Sequence, residues 1–213
     1  YIESGLPMVG FLYPIRHAVS IIGHGLMDKN ILDDPILVKS VMDSEIDVVP
    51  HVKLVSDLYV MDDNLFPYKK MMLGWADSQG DMRYGAAELK YCVVPLYPRM
   101  QLVYNEVYAR FKTWMKERVM DWETPCVSRI YITSANSLKS EALQTIGMNE
   151  QLVEVILNLS LPRFVWCIDL ANFQEYKLGL TSGRIIIDTK EPTLDEETWI
   201  LRHDKNGIQY IDV

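Results

Sequence analysis

Short apolar runs broken by turn residues set the limits on what this chain can become. Met8–Leu12, Ala18–Ile22, Leu54–Met61, Glu88–Leu96, Val127–Thr133, Phe164–Leu170 and Arg184–Asp188 each have the length and side-chain character of a strand, and none approaches the length of a long helix. One segment differs: in Pro98–Trp122, Met100, Val103, Tyr104, Val107, Phe111, Trp114 and Met115 recur at helical spacing behind an initiating proline, which predicts a helix with a core-facing stripe. Shorter helices are expected after Ser134 or Asn136, ending near Gly147, and from Asn149 through Leu157. Asn206-Gly207 between two apolar runs predicts a tight hairpin over Thr198–Val213. Strands and helices do not alternate regularly, so the expected class is α+β.

Composition closes off several alternatives. With 213 residues, 49% of them hydrophobic, the chain can fill a substantial core, and wholesale disorder is excluded. A formal charge of -8, spread along the sequence, argues against a nucleic-acid partner, which needs a basic stripe. The longest apolar stretches, such as Phe164–Ile168, fall far short of the roughly 20 residues that span a bilayer, so no membrane segment is expected. Cys92, Cys126 and Cys167 are widely spaced and lack C-x-x-C pairing, so neither a disulfide framework nor a zinc ribbon is expected, and a reducing, cytoplasmic setting fits. Tyr1 opens on a segment that reads as structured, without a signal-peptide pattern, so further natural sequence is expected before it.

The chemistry-bearing stretch lies early. Gly5-Leu6-Pro7-Met8-Val9 leads into a turn at Tyr13–Arg16, then His17 opens the run His17-Ala18-Val19-Ser20-Ile21-Ile22-Gly23, and the run Leu58-Tyr59-Val60-Met61 ends at Asp62, Asp63 and Asn64. A histidine at the start of one strand and a carboxylate at the end of its neighbour can be brought side by side. Imidazole titrates near neutral pH and can take a proton from a thiol or hydroxyl. A carboxylate on its second nitrogen fixes the tautomer and stabilises the imidazolium that forms.

On Gly5-Leu6-Pro7, His17-Ala18-Val19 through Gly23, and Tyr59-Val60-Met61-Asp62, the chain resembles the papain-like cysteine peptidase superfamily, in particular the double-glycine leader peptidase type and its uncharacterised bacterial relatives. The resemblance covers about a third of the chain. It implies a papain-like antiparallel sheet with flanking helices over 1–97; the remainder, 98–213, matches nothing in that family and is expected as an α+β extension, either a second domain or part of the same compact one. It also implies His17 as general base, with Asp62, or in its place Asn64, as the orienting partner, and a peptide or protein substrate without a cofactor. In that family a cysteine at a helix N-terminus precedes the histidine, with a glutamine shortly before it. Neither has a counterpart in this sequence, so the nucleophile is expected upstream of Tyr1 and this chain alone is expected to be inactive. A non-catalytic binding or structural domain of the same fold is the alternative.

Other residues read as structural. Cys92 and Cys167 sit among large apolar residues and are expected in the core, while Cys126, after Pro125, lacks a following helix N-terminus that would activate it. His24, seven residues from His17, is expected at a turn or on the opposite strand face, which argues against a metal site from His17, His24 and Asp28. Asp62, Asp63 and Asn64 lack the glycine and terminal glutamate of a helix-loop-helix calcium loop, and no metal is expected there. Trp75, Tyr84, Tyr91 and Tyr97 show no aligning period and are expected to pack beneath a connection.

Overall fold

A computed structural model of the chain describes residues 1–27, 32–35, 38–39, 46–64, 67–72, 88–98, 100–117, 125–144, 150–189, 198–204 and 207–212. It is a mixed α+β protein that divides into two compact units, one made of 1–41 and 52–97, the other of 42–51 and 98–213.

The first unit is built on an antiparallel sheet. Its strands are β1 (Met8–Tyr13), β2 (His17–Leu26), β4 (Val55–Met61), β5 (Lys69–Met72) and β6 (Glu88–Val93), in the order β5-β4-β2-β1-β6. Alternation explains why one face is packed. Leu12, Val19, Ile21, Leu58, Val60 and Met71 are buried together, while Val9, Phe11, Tyr13, Ile22, Tyr59 and Met61 point to the other face and are exposed. Hairpin β1–β2 pairs Leu12 with His17 and Met8 with Ile21, and β2 pairs Ile21 with Val60 and Ser20 with Met61. Ile22 is an extra residue in β2, since Ile21 faces Val60 and Gly23 already faces Tyr59. Such a bulge reverses the facing of everything after it.

The second unit holds a sheet in the order β11-β10-β9-β8-β7-β3, from β3 (Val48–Pro50), β7 (Cys126–Ser134), β8 (Phe164–Asn172), β9 (Gly183–Asp188), β10 (Thr198–Asp204) and β11 (Gly207–Asp212). All neighbours are antiparallel except β3, which runs parallel to β7. β8 and β9 are buried along nearly their whole length, on both faces, so their apolar residues run on without alternating. On one face Tyr131, Val165, Cys167 and Ile186 join Leu138 and Ala142 of α2 (Ala135–Gln144) and Ile156 of α3 (Glu150–Asn158). On the opposite face the buried Trp166 ring donates from Nε1 to the Leu102 carbonyl at 3.2 Å. Ser134 caps α2 by accepting from the Ser137 amide at 3.0 Å, as its position before the helix predicts. Asn172 caps α4 (Phe173–Leu178) by accepting from the Gln174 and Glu175 amides.

Several expectations change. The helix α1 spans Tyr104–Lys116 and does not begin at Pro98, because the Gln101 and Leu102 amides donate to the Thr189 carbonyl and the Glu106 side chain accepts from the Val103 amide to start the helix there. Its Val107, Phe111 and Trp114 are buried, as the stripe predicts. Just before His51, in a stretch with no strand pattern of its own, lies β3, whose three residues are all buried. Asn206, the expected turn residue, lies outside the described residues, although β10 and β11 pair from Trp199–Asp212 to Asp204–Gly207. The cap at Asn149, the stop at Gly147, and Trp75 and Tyr84 also lie outside them. Tyr91 and Tyr97 are exposed rather than packed beneath a connection.

Candidate functional site

His17 and Asp62 meet at one end of the first unit's sheet. Continuing the β2–β4 register past Ser20–Met61 sets Val19 opposite Asp62, and His17 is the next residue of β2 on that same packed face, a diagonal neighbour. The turn at Pro14–Arg16 fixes where β2 starts, so the hairpin places the ring at the end of a central strand, where it keeps 26% of its side-chain surface. Asp62 continues the buried face of Leu58 and Val60 just beyond the end of β4, and its side chain is 1% exposed. His17 Nε2 lies 2.9 Å from Asp62 Oδ1 and 3.9 Å from Asp63 Oδ1. Nε2 is itself buried, and its approach to Asp62 lacks the alignment of a full hydrogen bond.

Asp62 is held by the chain that follows it. The Asn64 amide donates to Asp62 Oδ1 at 2.8 Å, and Asn64 Nδ2 donates to Asp63 Oδ1 at 2.9 Å. A short side chain accepting from the amide two residues on is the local device that turns a strand end. Asn64 therefore braces both carboxylates. Chemically, a carboxylate against Nε2 favours the neutral tautomer protonated there and leaves the Nδ1 lone pair as the base.

Asp63, largely exposed, belongs to the cluster. Its adjacency to Asp62 is the one signal in the sequence that points to it.

His24 lies within β2 and not at a turn, and its ring contacts the Glu3 carboxylate. The bulge at Ile22 puts His24 opposite Leu58, on the packed face that regular alternation would have denied it. The third residue of the metal site set aside above, Asp28, lies outside the described residues.

The cysteines separate by exposure. Cys92 is exposed, contrary to its expected place in the core, because β6 is an edge strand that is exposed from Lys90 through Val93. It pairs with Gly10, whereas His17 pairs with Leu12. Cys126 and Cys167 belong to the second unit and are buried, and burial pushes both thiols up to about 12.

Comparison with protein-family models, with curated proteins and with solved structures found no match to this chain. Among the described residues no helix is long and apolar enough to cross a membrane.

Proposed function

We propose that the first unit is the histidine-bearing half of a papain-like cysteine peptidase-type hydrolase acting on a peptide or amide bond, with the nucleophilic thiol supplied by sequence preceding Tyr1. What carries the reading is the 2.9 Å approach of His17 Nε2 to the buried Asp62 carboxylate at the end of two neighbouring strands. His17 is then the general base, acting through Nδ1. Asp62 is the orienting partner, and Asn64 serves by holding Asp62. The open, apolar outer sheet face and the -8 charge fit a peptide substrate better than a polyanion. No cofactor enters this chemistry.

The test is to express the longer natural chain and treat it with a thiol-directed electrophile. Labelling of one upstream cysteine that falls at least about tenfold in His17→Ala, as loss of a general base requires, is the expected result. Labelling unchanged by His17→Ala overturns it.

A non-catalytic binding domain of the same fold is the second reading. It is favoured by the makeup of the cluster, one imidazole and two carboxylates without a thiol among the described residues. Absence of any cysteine or serine at a predicted helix start in the preceding sequence selects it.

A further inference from the structure

We propose that His17 Nε2, Asp62 Oδ1 and Asp63 Oδ1 form a binding site for a first-row divalent cation of the Zn2+ type. His17, Asp62 and Asp63 each offer a ligand atom within 4.8 Å of the other two. Two of the separations are 2.9 and 3.9 Å. A cation with bonds of about 2.0–2.1 Å to nitrogen and oxygen needs donors roughly 2.8–3.4 Å apart, from octahedral to tetrahedral geometry, so the 2.9 Å pair already fits and the 3.9 Å pair has to close by about half an ångström. Asp63, exposed and held by the neighbouring Asn64 side-chain amide, can make that shift.

An independent observation comes from the ring. Nε2 is buried against the carboxylates, yet no acceptor meets it at a hydrogen-bonding angle. An imidazole nitrogen so placed has an unused position that a cation fills and a second acceptor does not. The donor set also selects the ion. One imidazole nitrogen with two carboxylates suits Zn2+, Mn2+, Fe2+ or Co2+, whereas Ca2+ requires six to eight oxygens. The Asn64 amide and Nδ2 already donate to the two ligand oxygens and would orient them for the metal.

The cation and the orienting contact exclude each other. Metal on Nε2 takes the lone pair there, so the neutral ring must give up its Nε2 proton to solvent and carry one on Nδ1. A ring in that state has no lone pair left on Nδ1, and Zn2+ would thereby switch off the base. The binding itself stands on the geometry of the cluster and not on the hydrolase reading.

Isothermal titration of ZnCl2 into the metal-free 213-residue chain tests it. The expected result is saturable, sub-millimolar binding of one Zn2+ per chain, weakened at least about tenfold in Asp63→Asn and unchanged in Cys92→Ser. Asp63 is 86% exposed, so its variant keeps the fold. Titration of the wild type followed through the His17 ring nitrogens should show conversion to the Nδ1–H form. Absence of saturable binding, equal binding by Asp63→Asn, or binding lost with Cys92→Ser overturns the proposal, and none of these results depends on whether a peptide bond is cut.

Discussion

At the scale of single residues, burial decides which groups can react. Cys126 and Cys167 are held neutral by desolvation, with thiols raised from 9.0 to about 12. Cys92 alone is exposed. A thiol reagent at pH 8 should therefore modify one cysteine in the folded chain and three after denaturation, and rapid modification of three in the folded chain would contradict the placement. The same shifts carry a pH signature. A thiol whose folded pKa is raised supports stability fully below its unfolded value and loses that contribution as pH climbs through the folded one, so unfolding free energy should decline between pH 9 and about 12, as followed by urea titration. Pro95 marks the run Glu88–Leu96 as an edge or a strand end, and β6 is an edge strand, but the apolar neighbours of Cys92 point to the core and give no sign of its exposure.

At the scale of elements, the register of β2 against β4 positions everything in the candidate site. Gly25 is part of that register. A Cβ there would meet both oxygens of the buried Asp57 carboxylate at 2.5 and 2.6 Å, and Asp57 is tied to Lys70 at 3.1 Å and to the Ser56 hydroxyl. Gly25→Ala should cost about 1–3 kcal/mol in urea unfolding, by displacing a buried carboxylate, and a neutral effect would argue against this pairing. The strand containing His17 was legible from its apolar residues and from the turn before it. Its bulge was not, since a two-to-one pairing leaves no mark on one strand's own sequence. This is why the facing of His24 could not be read, whereas that of His17, before the bulge, could. The strand β3 has no legible signature for a related reason: three residues including a proline carry too little pattern, and a partner 78 residues on supplies the pairing.

At the scale of the whole molecule, each unit has its own packed sheet, and the second rests on a buried ionic cluster as well as on apolar contacts. Arg184 donates from Nε and Nη2 to Asp169 at 2.5 and 3.0 Å, and Tyr131 donates to the same carboxylate at 3.0 Å. Burial alone would lower the guanidinium's pKa, but Asp169 outweighs it and holds the charge, while burial and Asp169 push the Tyr131 hydroxyl up. Arg184→Leu should cost about 3–5 kcal/mol by stranding Asp169, and adding Asp169→Leu should restore part of that loss in thermal or urea unfolding. The α+β class was legible because strand lengths and one long helical stripe are local properties. Membership of 42–51 in the second unit was not, because a parallel pairing joins distant segments and has no local signature.

The candidate site depends on two neighbouring strands bringing the ring of His17 to the carboxylate of Asp62. A long-range proton–nitrogen correlation spectrum of the His17 ring, on metal-free protein with the imidazole neutral, tests it most directly. The ring should be protonated on Nε2, and Asp62→Asn should erode that preference. A ring protonated on Nδ1, or one indifferent to Asp62→Asn, would contradict the account.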